Sequence, residues 1–222
     1  MANANPQSPA SARLIAALLG LTFVTGIIDA VSLLSLGHVF VANMTGNVVF
    51  LGFALAHQGD AQIAMVLTSL LAFVIGALAG GKFTAPARLA RGFGLEFGFF
   101  MLATALASAM PATTAASYAL VATLALAMGT RNALVRALAV PDLTTTVLTM
   151  TITGLAADST LVGGNNPRWE RRALAVLALL GGALVGALLL ARAARLVIPL
   201  AAAIEFLAVV VLLKELAASR SA

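Results

Sequence analysis

Runs of about 20 apolar residues, following one another with little between them, constrain this chain more than any motif it carries. A helix of that length matches a hydrocarbon layer about 30 Å thick, and a chain built almost wholly of such runs has no stretch left for a separate water-facing domain. Composition agrees: of 222 residues 61% are hydrophobic and only 9% charged, and the mean hydropathy is +1.05. Those values lie far from the balance of a soluble domain and exclude water as the main solvent of the fold.

Hydropathy and helix breakers place six crossings at about 14–36, 62–84, 93–110, 114–138, 172–191 and 195–214. Two shorter segments, about 41–57 and 143–158, begin polar and end apolar. The expected fold is therefore all-α: a polytopic membrane protein with about six transmembrane helices plus two short broken or re-entrant segments. Residues 1–12, polar and carrying Pro6 and Pro9, read as a flexible tail; 13–111 and 112–216 read as two membrane repeats, and 217–222 as a second tail. The apolar run after Arg13 is long and lacks a clear small-residue cleavage site, so it reads as a retained span rather than a removed signal.

Net charge is +5, from 13 Lys and Arg against 8 Asp and Glu, too sparse for a nucleic-acid surface. Its value is topological, because short cytoplasmic loops of membrane proteins collect Lys and Arg. With six crossings and a cytoplasmic N-terminus, eleven of the 13 fall inside and two, Arg192 and Arg195, outside. If both short segments also cross, the division becomes six against seven and the bias vanishes. A seven-span arrangement with the N-terminus outside still divides ten to three and stands as the rival. The six-span plan predicts both termini in the cytoplasm. The chain has no Cys, which excludes disulfides, thiolate metal sites and thiol catalysis.

An internal repeat fits the same plan. Gly26, Asp29 and Ala30 correspond, 103 residues on, to Gly129, Asn132 and Ala133; Thr45 and Asn47 fall near Thr149 and Thr151. The small-residue series Ala72, Gly76, Gly80 matches Ala178, Gly182, Gly186. Three crossings per half would invert one copy relative to the other, the plan of many secondary transporters, whose broken helices meet near the midplane. The small-residue series let backbones approach closely, within one chain by default, although the same faces leave a homo-oligomer open.

Irregular backbone survives at membrane depth only where protein buries it or a wet cavity meets it. Asn43, Thr45, Gly46 and Asn47 suit such a break, and a half-helix starting there would present free N–H groups to a polar ligand; an ordinary helix cap at the membrane surface would use the same residues. Thr145, Thr146, Thr149 and Thr151 could line a path with hydroxyls or simply bond their own helix carbonyls. Asp29 lies deep in an apolar helix, where a carboxylate needs a partner or a function. Arg131 occupies nearly the symmetric place, so a structural Asp29–Arg131 pair is the favoured reading, with proton coupling through Asp29 as the alternative. Glu205 reads as a second intramembrane carboxylate, Glu96 as an interfacial one, and Asp142 and Asp158 as caps. His38 and His57 share no metal-ligand spacing.

The stretches Gly26–Ala30, Ala42-Asn43-Met44-Thr45-Gly46-Asn47 and Thr144–Leu155 resemble the YoaK family of bacterial inner-membrane proteins, also called DUF1275, over nearly the whole chain. The resemblance implies a polytopic membrane protein suspected of moving small molecules, and brings with it no substrate and no catalytic residue. Thr149-Met150-Thr151 stands where the first half has Thr45-Gly46-Asn47, so the two halves differ at the site.

Three function classes follow. The leading one is a secondary transporter of a small polar solute, with a site between the two polar segments near the midplane formed by Asn43, Thr45, Gly46, Asn47, Thr145, Thr146, Thr149 and Thr151, flanked by Asp29 and Arg131. A passive channel would use the same parts but show a ring of charge. An intramembrane enzyme acting on lipid would need a nucleophile, an acid-base pair or a metal cluster at one depth, and no such constellation declares itself. No nucleotide-binding loop is present and no cofactor is implied; the expected partners are a small-molecule substrate and the lipid bilayer, and no nucleic acid.

Overall fold

The computed structural model describes residues 11–60 and 62–221, and the tail expected at 1–12 lies outside them except for Ser11 and Ala12. The described chain is all-α: α1 (Ala12–Ser35), α2 (Met44–Leu55), α3 (Ile63–Gly81), α4 (Leu89–Ala109), α5 (Thr114–Leu138), α6 (Thr149–Ala157) and α7 (Trp169–Ser221), with 3-10 turns at Pro86–Arg88 and Thr160–Val162. Hydroxyl and amide oxygens start three of these helices. Ser11 accepts from the Leu14 N–H, Thr113 from Ala116 and Asn43 from Gly46, each pairing one of the N–H groups that a helix start leaves bare.

Among the described residues, five helices are long and apolar enough to cross a membrane: α1, α3, α4, α5 and α7. At 12 and 9 residues, α2 and α6 are only about 18 and 14 Å long at about 1.5 Å per residue, against a hydrocarbon layer of about 30 Å. Neither can span alone. α7 holds both segments that hydropathy separates at 191 and 195. It is broken at Ala193, where φ is −153° and ψ 55°. Ala175 in its first limb and Leu212 in its second both belong to the core cluster of Ala17, Leu18 and Leu21, whereas Val197, just past the break, packs with Val24 and Ile28. Two distant ends can share one cluster only if the chain doubles back, so the break at Ala193 is a reversal.

Packing follows the small residues. α1 lies on α7, α3 on α5, and α4 on both α5 and α7. A Cβ placed at Gly182 would lie 2.0 Å from the Phe23 carbonyl oxygen, and one at Gly76 would lie 2.2 Å from that of Leu126, so at these crossings backbone meets backbone. This is the close approach expected of the two small-residue series, and it takes place within one chain. Two apolar clusters fill the bundle: one around Ile27, Val31, Leu124 and Ala201, the other around Leu18, Phe93, Leu134 and Leu212. α2 rests on α3 and α6 on α7, each leaving apolar side chains such as Val48, Phe53, Met150 and Ile152 exposed, as a lipid-facing surface requires.

Candidate functional site

After α1 the chain turns through Gly37 (φ 125°) and His38 (φ 58°), and residues 39–43 run back without helix into the bundle, with Val39 and Val41 fully buried. Their backbone groups cannot reach water and must be paired locally. Asn47 does most of this from α2: its Oδ1 accepts from the Phe40 N–H at 2.9 Å, and its Nδ2 donates to the Phe40 carbonyl at 2.6 Å and to Ser69 Oγ at 3.1 Å. Ser69 in α3 donates to the same carbonyl at 2.6 Å. Asp29 accepts from the Ala42 N–H at 3.2 Å. Gly46 is required because a Cβ there would lie 2.7 Å from the Phe40 ring, which stacks on Phe50 at 5.6 Å.

The loop ahead of α6 is more contorted. Ala139, Asp142 and Thr145 all have positive φ, at 51°, 65° and 63°, a region that β-branched residues such as threonine rarely enter. Each such residue costs about 1–3 kcal/mol and persists only where its surroundings hold it. Here the holding groups are charged. Asp142 accepts from Arg168 Nε at 2.7 Å and Arg172 Nε at 3.0 Å, while Arg172 Nη1 donates to the Gly154 carbonyl and to Asp158, both at 2.7 Å. Partial burial pushes the Asp142 carboxyl up, but the hydrogen bonds from Arg168 and Arg172 outweigh it and hold the group below the usual carboxylate value. Deeper in, Thr146 Oγ1 donates to Asn132 Oδ1 at 2.8 Å and Thr151 donates to the Asp142 carbonyl at 3.5 Å.

Both short helices start at the edge of one crevice of about 770 Å³, into which Asp29, Asn43, Thr45, Gly46, Thr146 and Thr149 all open. These are six of the ten residues expected from sequence. Asn47, Thr145 and Thr151 are buried and lie behind the crevice wall. Asn47 and Thr151 brace the loops, and the Thr145 hydroxyl is buried with no partner. A second crevice of about 920 Å³ is lined by Phe73, Ala77, Asn132, Arg136 and Thr144. Thr146 and Val147 line both.

Arg131 departs from expectation. The favoured Asp29–Arg131 pair is not formed: Arg131 lines neither crevice and is fully buried. It donates through Nε to Glu96, through Nη2 to Glu205, and through Nη1 to the Leu21 carbonyl at 2.9 Å and Thr25 Oγ1 at 3.0 Å. The Phe100 ring centroid lies 5.5 Å from the guanidinium carbon. Glu96 is likewise buried rather than interfacial. α4 starts at Leu89, so Glu96 lies two turns inside it. The available signal was its face, shared with Phe93 and Phe100, the aromatic residues most deeply buried in the bundle.

The crevice thus offers amide, hydroxyl and carboxylate groups to a ligand within apolar walls, a combination that fixes a small polar molecule by hydrogen bonds. A family model described as a protein of unknown function (DUF1275) matches residues 17–213. Over 145 residues, 62% of this chain, the sequence is 30% identical to the UPF0700 transmembrane protein YoaK of Bacillus subtilis strain 168, and the match spans 64% of that relative's length. No solved structure matches the chain. The relative is a transmembrane protein, five helices here have the length and apolarity to cross, and the family match runs from α1 into the second limb of α7: the chain is a multi-pass membrane protein of the DUF1275 family.

Proposed function

We propose that this protein is a secondary carrier that moves a small polar solute across the bacterial inner membrane. The observation that carries the reading is the pair of crevices with a common wall at Thr146 and Val147. With each limb of α7 crossing, the bundle has six crossings, and eleven of the 13 Lys and Arg fall on the side of the N-terminus, which favours cytoplasmic termini. The first crevice then opens beside Leu33 and Leu34, near the outer end of α1. The second opens beside Arg136 and Val140, near the inner end of α5.

The two crevices also have matching walls, which supports reading the chain as an inverted repeat. Asp29 and Ala30 in the first answer to Asn132 and Ala133 in the second, and Leu179 and Ala183 answer to Phe73 and Ala77. α1 crosses α7 at Gly26 and Gly182 as α5 crosses α3 at Gly129 and Gly76. On this reading α2 and α6 are half-spanning segments that meet at the common wall, the arrangement in which a site is exposed to one side at a time. The solute binds at Asn43, Thr45, Thr146 and Thr149, and Asp29 sets its charge preference.

The test is uptake into proteoliposomes containing the purified protein, across a panel of small polar solutes. Saturable uptake of one solute, reduced about tenfold or more in Asp29→Asn and Thr45→Val proteins that still fold, is the expected result. Flux that never saturates would replace the carrier with a channel, and no uptake of any solute under an imposed gradient would remove the transport reading.

A further inference from the structure

We propose that Glu96 and Glu205 share one proton over the Arg131 guanidinium, giving the protein a proton-binding site at the centre of its helix bundle. Both glutamates and the arginine are fully buried, and among the described residues the two carboxylates form ion pairs with Arg131 alone. Two carboxylates against one guanidinium leave an excess negative charge in a site closed to water. Such a charge is costly inside a membrane unless it is paired or neutralised.

The geometry says where neutralisation occurs. Nε and Nη2 lie on one edge of the guanidinium, the edge that commonly holds both oxygens of a single carboxylate. Here that edge is divided: Nε donates to Glu96 and Nη2 to Glu205. The carboxyl groups are therefore side by side, where two like charges repel unless a proton lies between them. One oxygen of each, Glu96 Oε2 and Glu205 Oε1, is buried without any hydrogen-bond partner. A proton on either carboxyl supplies the missing donor, brings the three groups to zero net charge, and leaves Arg131 bonded to both. A metal cation would need several more oxygen ligands, whereas the guanidinium is faced by the Phe100 ring.

Other groups around the triad are accounted for. α1 contributes the Leu21 carbonyl and Thr25, both taken by Arg131 Nη1; the next carboxyl on that helix, Asp29, is held by Ala42 and opens to the crevice. Stability does not by itself explain the cluster, since buried charge triads are often replaced by apolar residues at no loss. The proton site joins α1, α4, α5 and α7, the helices that would move against each other in a carrier. That coupling role rests on the proposed transport function; the presence of the proton does not. On release, the helices around the triad part to admit water, the carboxyl O–H bond breaks, the electron pair stays on the glutamate and the proton passes to a water molecule as hydronium.

Infrared difference spectroscopy of the purified full chain at neutral pH, in light against heavy water, reads the carbonyl stretch of a protonated carboxyl. A band is expected in the wild type that is retained in Asp29→Asn and that, in the Asp29→Asn background, is lost in both Glu96→Gln and Glu205→Gln. Should either glutamine variant not fold, Glu205→Asp, which keeps the carboxyl, is expected to shift the band. Absence of the band, or its persistence unshifted in the glutamate variants, would overturn the site. The coupling role is read separately: uptake should respond to a pH gradient in the wild type and lose that response in Glu205→Gln. A band present with no uptake of any solute would end the carrier reading and leave the proton site standing. Uptake indifferent to the pH gradient would end the coupling.

Discussion

Thr146 donates its hydroxyl proton to the side-chain oxygen of Asn132 across 2.8 Å, linking the strained loop ahead of α6 to α5 at the wall that divides the two crevices. Thr146→Val keeps the shape and removes the donor. Loss of one such bond costs about 1 kcal/mol of stability, so the melting temperature is expected to fall by about 2–4 °C, and solute affinity to fall with it because Thr146 lines both crevices. Affinity measured by uptake, alongside the melting temperature of the purified variant, checks this.

Asn47 and Asn43 should separate cleanly. Asn47 holds Phe40 and Ser69 and is fully buried, so Asn47→Ala strands polar groups that have no water and is expected to cost about 2–4 kcal/mol of stability. Asn43 caps α2 at its edge of the crevice; Asn43→Ala should cost only about 1 kcal/mol while lowering solute binding. Thermal unfolding of the two variants side by side would expose an error if Asn43→Ala were the less stable.

Small-residue crossings set a third expectation. At Gly76 and Gly182 any Cβ meets a carbonyl oxygen at 2.2 and 2.0 Å, so even Gly182→Ala must push α1 off α7. Overpacking of this kind costs about 1–3 kcal/mol or more, and Gly52→Ala, where a Cβ meets nothing within 4 Å, is the neutral control. Wild-type melting temperatures in Gly76→Leu and Gly182→Leu would mean that these helices do not touch.

Acid should loosen the loop ahead of α6 before the bundle. Because Arg168 and Arg172 hold the Asp142 carboxyl below its ordinary value of 3.8, the ion pairs stabilise the fold above that pH. Their contribution is lost as pH falls through the lowered value. Asp142→Asn is expected to melt at a lower temperature than the wild type at neutral pH, and the gap should close in strong acid. A gap independent of pH would show that Asp142 acts by shape rather than charge.

Sidedness is checked with single cysteines in this Cys-free chain. Cysteines at Gln58 and Ala112 should label from outside intact cells, and those at Ala87 and Asn166 only after permeabilisation. The reverse pattern would overturn the orientation and place both termini outside.

Much of this protein was legible in the sequence because hydropathy and breakers are local properties. The apolar runs located α1, α3, α4, α5 and both limbs of α7; Asn43 and Gly46 marked the start of α2, and the glycine spacing marked the faces that touch. Six crevice-lining residues were also legible, since polar groups at membrane depth have few other places to go. The tertiary structure decided what each buried polar group bonds to. Asn47, expected in the ligand site, is instead consumed by the Phe40 backbone, because a loop folded into an apolar bundle must have its N–H and C=O groups paired. Arg131, expected to pair with Asp29 by position along the repeat, bonds to Glu96 and Glu205. Repeat position relates residues along the chain, whereas a charge pairs with whatever lies across from it, and that is fixed only when four helices close around one point.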